Sequence, residues 1–295
     1  MAADLLLMLL VWIFRFIRFE SLGSVAKPIS TLGFLLAKRY RERIIENLHI
    51  GLGLDKDSTE IDQLVKEIFF HLACAVCEFV SLLGRTRRWE RFLPQIKIRG
   101  SEHLDEALQK GTGVIALGMH LGGFFLVPAR IAAEKYPCNV VINRGRNHAL
   151  WRRAEKYHRI FRVKTIYTQP SVVALKKSLN RLCRNEIIYV LADEQQRRRG
   201  IATLFFGRRA FTSPGPAFLS IKTGAALLPM YVLRTNGARK TLVIEPPVTI
   251  QGTGDEKRDI ELLTAQFTQV IEQIVRRHPG QWAWLNRRWK IPPPG

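Results

Sequence analysis

Residues Gly113–Arg130 read GVIALGMHLGGFFLVPAR, and this stretch decides the fold. Its apolar run from Val114 to Leu117 suits a short strand covered on both faces. His120 follows just past the end of that run. Gly122 and Gly123 then make a turn, and from Phe124 the apolar spacing turns helical as far as Tyr136. Strand, turn and helix in this order form half of a βαβ unit, and ligands of open α/β sheets gather beyond the carboxyl ends of such strands. His120 stands at that kind of position. The two glycines allow a substrate close to the backbone, and their N–H groups are candidates for holding an oxyanion.

The same texture recurs from Lys97 onward. IKIRG, GTGVIALG, CNVVIN, IIYVLAD, ALLPMYVLR and KTLVIEPPV read as strands. Helical patterns lie between them at Phe124 to Tyr136, Leu150 to Phe161, Ser171 to Arg184 and Gly215 to Thr223, and a last helix runs from Ile260 to Arg277. Alternation of this kind predicts an α/β fold with a mostly parallel central sheet flanked by helices over residues 94–295. Residues 1–93 read instead as a helical, membrane-contacting extension: an apolar start, a segment near Thr31 to Asn47, and an amphipathic helix after Ser58.

Charge narrows the partners. The 295 residues carry 46 Lys and Arg against 25 Asp and Glu, a net +21, so an anionic partner is expected. The basic residues are spread along the chain without zinc-finger spacing or an RNP-like aromatic pattern, which argues against nucleic acid. Leu5 to Phe14 is continuously apolar but too short to span a bilayer, which takes about 20 residues. Asp4 and the lack of a small-residue cleavage site fit a secretory signal poorly. Trp12, Phe14, Phe16, Ile17 and Phe19 around Arg15 and Arg18 suit a helix lying in an anionic membrane interface; the other reading is a buried N-terminal helix. Cys74 and Cys77 fall in the helical pattern of Ile61, Leu64, Val65, Ile68, Leu72, Val76, Phe79 and Leu83, and have no second pair. They are expected to be core thiols in a reducing compartment rather than a metal or redox site.

Three strand ends bring polar residues to one edge. These are Met119 to Gly123, Asn143-Arg144-Gly145-Arg146-Asn147, and Asp193-Glu194-Gln195. Here the sequence resembles the lauroyl/myristoyl acyltransferases of bacterial lipid A biosynthesis, within the lysophospholipid-acyltransferase-like superfamily. The resemblance runs from Ile98 to Lys290. His120-Leu121-Gly122-Gly123-Phe124-Phe125 matches the family's His, any residue, Gly, Asn, Trp, Glu. Arg144 and Asn147 match its next block and Asp193 its aspartate after a strand. Phe205 to Tyr231 matches its glycine-and-proline segment, and HPGQWAWLNRRWK its ending.

The resemblance implies transfer of a fatty acyl chain from an acyl carrier protein or coenzyme A thioester to a glycolipid (a lipid A precursor) or lysolipid acceptor. This would take place on the cytoplasmic face of a bacterial inner membrane, with no cofactor and no metal. It makes His120 the general base, with Arg144, Asn147, Gly122, Gly123 and Glu194 around the substrate. The departure that bears on the chemistry is Phe125, which stands where the family has the carboxylate that orients the base. Three readings follow. Asp193 or Glu194 serves His120 instead; the acceptor is an easier nucleophile such as an amine; or the chain is a catalytically silent lipid- or acyl-carrier-binding homologue. Trp282, Trp284 and Trp289 beside Arg287 and Arg288 suit either an interface or a packed core, and His148, His158 and His278 are expected at structural or surface positions.

Overall fold

The computed structural model describes residues 2–84, 92–143, 155, 157–196, 200–235 and 239–289. Nine strands occur among them: β1 Lys97–Arg99, β2 Val114–Gly118, β3 Cys138–Ile142, β4 Lys164–Tyr167, β5 Ile187–Leu191, β6 Ile201–Phe205, β7 Arg208–Thr212, β8 Ala226–Thr235 and β9 Arg239–Ile244. Seven form one sheet in the order β1-β9-β8-β2-β5-β3-β4. The five from β8 to β4 are parallel. β9 returns antiparallel to β8, and β1 pairs parallel with β9. The mostly parallel α/β sheet expected from the sequence is therefore present.

Three strands were not legible in the sequence. β4 has four residues, at the edge of the sheet, too few for a period-two pattern to stand out. β6 and β7 form a separate antiparallel hairpin whose two-residue turn has positive φ at both Phe206 (55°) and Gly207 (70°). Such turns usually announce themselves with Asn-Gly or Asp-Gly. Here a phenylalanine takes the first place, packed against Phe205 and Trp284 with its N–H donated to the Glu272 carboxylate.

The described helices are α1 Ala2–Phe14, α2 Leu22–Leu36, α3 Lys38–Leu52, α4 Thr59–Gly84, α5 Ser101–Gln109, α6 Leu126–Ala133, α7 Ser171–Leu182, α8 Gly215–Thr223 and α9 Glu256–Arg277. The single segment expected across Thr31 to Asn47 is instead two helices. Ala37 breaks it, with ψ near 51°. α9 starts before its first apolar residue because the Asp255 carboxylate caps the N–H groups of Lys257 and Arg258. Of the expected helix at Leu150 to Phe161, residues 157–160 are helical, and most of the remainder lies outside the described residues.

Alternate residues of β2 feed two hydrophobic clusters, one on each face of the sheet. Val114 and Ala116 join Cys74, Cys77, Val127 and Tyr189. Ile115 and Leu117 join Ile61, Val65, Ile188 and Phe267. The N-terminal helices contribute to both. Cys74 and Cys77 are thus buried core thiols, as expected, and burial raises the Cys77 thiol to about 11.

α4 is long and apolar enough to cross a membrane by length and composition, yet half of its most apolar window is buried inside the protein. It is also tied to the sheet by charge. Glu78 receives two hydrogen bonds from the Arg234 guanidinium, at 3.0 and 2.7 Å, and lies 3.2 Å from the Lys240 ammonium. All three are buried.

Candidate active site

Strand register builds the site. β2 and β5 are neighbours, and Gly118 is paired with Leu191. His120 and Asp193 each stand two residues beyond that pair, so they meet at the carboxyl edge of the sheet. Nδ1 of His120 lies 3.0 Å from Oδ1 of Asp193. The backbone N–H of His120 donates to Oδ2 at 2.8 Å, and the indole N–H of Trp282 donates to the same oxygen at 2.7 Å.

Asp193 is fully buried. Burial alone would raise its pKa, but the His120 charge and the three hydrogen bonds hold it below the usual carboxylate range. Burial likewise pulls His120 down, and Asp193, with a smaller contribution from Glu194, carries it back above the ordinary histidine value. An ionised carboxylate only accepts, so Nδ1 carries a proton, and whenever the ring is neutral Nε2 keeps its lone pair outward. Glu194 sits on that outer side, its Oε1 3.7 Å from Nε2 and its side chain largely exposed. Both candidate carboxylates are therefore near His120, Asp193 on the inner nitrogen and Glu194 on the outer.

The C-terminal segment straps this loop down. Ala283 donates its N–H to the His120 carbonyl, Gly122 donates to the Gln281 carbonyl, and Leu121 bridges to Trp282. Gly122 has φ +55°, and a Cβ there would lie 2.0 Å from the Val232 carbonyl oxygen, so only glycine fits. The amides expected to face an oxyanion are engaged otherwise. Gly122 gives its N–H to Gln281 and Gly123 gives its to Val232. Gly122 serves close packing against the Val232 backbone and Gly123 close packing against the Leu126 and Val232 side chains, a need that the local sequence did not reveal.

Beside His120 opens a cavity of about 530 Å³ with mostly apolar walls, among them Val76, Phe79, Phe125, Pro128, Val140 and Leu191. Phe125 packs edge-to-face on Phe79, with ring centroids 5.7 Å apart. The position that carries a carboxylate in the family motif is here part of this apolar wall. His158 also lines the cavity and is buried, not superficial. Its Nδ1 pairs with the Thr165 hydroxyl at 2.9 Å, and burial lowers its pKa to about 4, so the ring is neutral.

The tryptophans resolve towards the core. Trp282 and Trp284 are buried, and Trp289 packs on Phe205 and Phe206. Arg288 is buried as well, its guanidinium donating to the Glu194 and Phe211 carbonyls and the Thr212 hydroxyl. Arg144, Asn147 and His148 lie outside the described residues. Among the described residues no group of three His, Cys, Asp or Glu side chains could hold a metal ion.

The family of bacterial lipid A biosynthesis acyltransferases matches residues 2–291. The chain belongs to that family. The lipid A acyltransferase match extends through the N-terminal helices as well as the α/β part. Among relatives, the phosphatidylinositol mannoside acyltransferase of Mycobacterium tuberculosis (strain ATCC 25618 / H37Rv) is 25% identical over 207 residues, 69% of this chain and 62% of that protein. The lipid A biosynthesis lauroyltransferase of Escherichia coli (strain K12) is 24% identical over 268 residues, 88% of this chain and 83% of the relative. The palmitoleoyltransferase of the same organism is 24% identical over 283 residues, 93% and 84% of the two chains. The chain thus spans less than two thirds of the mycobacterial relative's length and more than four fifths of the enterobacterial ones.

Proposed function

We propose that this protein transfers a fatty acyl chain from an acyl carrier protein or coenzyme A thioester to a hydroxyl of a glycolipid or lysolipid. The site of action is the cytoplasmic face of a bacterial inner membrane. The observation that carries this reading is the contact of His120 with a buried, ionised Asp193 at the mouth of an apolar cavity, in a chain of the lipid A acyltransferase family. Nε2 of His120 accepts the hydroxyl proton as the oxygen attacks the thioester carbonyl. Asp193 holds the ring in the tautomer that leaves Nε2 free and stabilises the imidazolium that forms. Collapse of the tetrahedral intermediate breaks the carbon–sulfur bond, and the imidazolium returns its proton to the departing thiolate.

The cavity supplies apolar walls for the acyl chain, and Val76, one of its lining residues, is 60% exposed. Membrane contact is supported by α1, whose Met8, Leu9, Trp12 and Ile13 are exposed, and by the adjoining Phe16. The net charge of +21 favours an anionic surface and an anionic donor.

The test is direct. Purified protein is incubated with acyl carrier protein or coenzyme A thioesters and a bacterial lipid extract, and products are read by mass spectrometry. A new acylated lipid is expected, lost in His120→Ala. Product that persists in His120→Ala would overturn the base assignment, and no product with either donor would leave the chain a lipid- or carrier-binding homologue.

A further inference from the structure

We propose that Trp282 is a positioning residue for the His120–Asp193 pair, its indole N–H fixing one carboxylate oxygen so that the other stays on Nδ1 of His120. The catalytic consequence rests on the acyl-transfer reading; the geometry does not. Three donors satisfy the buried Asp193 carboxylate. His120 Nδ1 takes Oδ1, while the His120 backbone N–H and the Trp282 indole converge on Oδ2. Trp282 is the one side chain among the three that lies outside the pair, and it arrives from 89 residues away. The strap bridges that bring it in bind the His120 loop itself.

Trp284 supplies a built-in comparison. It is equally buried and its indole N–H is also satisfied, but by the Pro279 carbonyl at 2.8 Å. If the two tryptophans mattered only as core volume, removing either would act alike.

The proton balance gives Trp282 a specific task. A hydrogen bond to Oδ2 takes up part of the carboxylate charge. Without it Asp193 pulls harder on the Nδ1 proton, so the imidazolium persists to higher pH and less His120 is free to act as a base. The other ionisable groups facing the pair are Glu194 on the Nε2 side, Arg288, which interacts with Asp193, and Tyr189, whose hydroxyl is held by the Phe124 carbonyl. None of them donates a hydrogen bond to Oδ2 among the described residues.

The experiment follows the His120 ring by NMR without substrate, and kcat and KM against pH with substrate, in four proteins. These are the wild type, Trp282→Phe, Trp284→Phe, and a protein carrying 3-benzothienylalanine at position 282 alone, which keeps the ring shape and lacks the N–H. Trp282→Phe and the isostere should raise the His120 pKa by about one unit, and so lower kcat at neutral pH about tenfold with KM little changed. Trp284→Phe should leave the His120 titration in place. An isostere that titrates like the wild type overturns the proposal, even if Trp282→Phe is inactive or unfolded, because packing alone would then explain the residue. A shifted titration in a protein that acylates no lipid would uphold the positioning role and defeat the acyl-transfer reading.

Discussion

The Oδ1 atom of Asp193 lies 3.0 Å from Nδ1 of His120 although the two residues are 73 positions apart. Because Asp193 is ionised and buried, removing its charge should affect rate and pH together. Asp193→Asn should lower kcat by about 10⁴, as loss of the orienting carboxylate does in serine proteases. Burial of His120 would then be opposed only by the smaller effect of Glu194, so the residual activity should show its acid limb at lower pH. A pH–rate profile checks both effects.

The same pair fixes a stability window. The folded pKa of His120 is raised, so its charged form stabilises the protein fully below the unfolded value of about 6.5 and loses this as pH rises through the folded value. The folded pKa of Asp193 is lowered, so its contribution is present above about 3.9 and is lost as pH falls through the folded value. The two share one interaction and count once. Denaturant titrations of wild type and His120→Gln should differ most from about pH 4 to 6.5, with the gap narrowing on either side.

Phe125→Glu restores the motif's carboxylate on paper but should not help this protein. Position 125 faces an apolar cavity beside Phe79, and Asp193 already meets Nδ1 of His120. A carboxylate there would be desolvated and pushed towards its neutral form. Activity should fall about tenfold as the acyl cavity is spoiled. A rise in kcat/KM would show that Asp193 does not do the work assigned to it.

Glu78→Gln should cost about 3–5 kcal/mol of stability, because Arg234 and Lys240 would stay buried without their counter-charge. Burial already pulls the Lys240 pKa below its ordinary value despite Glu78. Equilibrium unfolding in urea measures the loss.

Trp12 and Phe16, 58% and 66% exposed, should enter the membrane interface. Trp12→Glu combined with Phe16→Glu should weaken sedimentation with vesicles containing anionic lipid at least about tenfold. Binding of the wild type should fall with added salt. Salt-independent binding unaffected by the double substitution would exclude α1 as the contact.

Much was legible before any tertiary contact was known. The apolar runs at Val114–Leu117 and Ile187–Leu191 marked buried parallel strands, and the pattern after Ser58 marked α4. His120 and Asp193 were recognisable as strand-end residues because fold topology puts functional groups there. The Phe206–Gly207 turn and the short edge strand β4 were not, since neither carries the residues or the length that local rules depend on.

What sequence alone determined was therefore the class of fold, the edge of the sheet where chemistry would sit, and the missing carboxylate at position 125. Tertiary structure decided which carboxylate meets Nδ1 of His120. The choice between Asp193 and Glu194 turns on the pairing of Gly118 with Leu191, which places one carboxylate inside the protein and the next in solvent. It also placed Trp282 on Asp193 and engaged the two glycine amides with the Gln281 and Val232 carbonyls. These are contacts between segments far apart in the chain. Their geometry follows from strand register and core packing, which no local spacing of residues encodes.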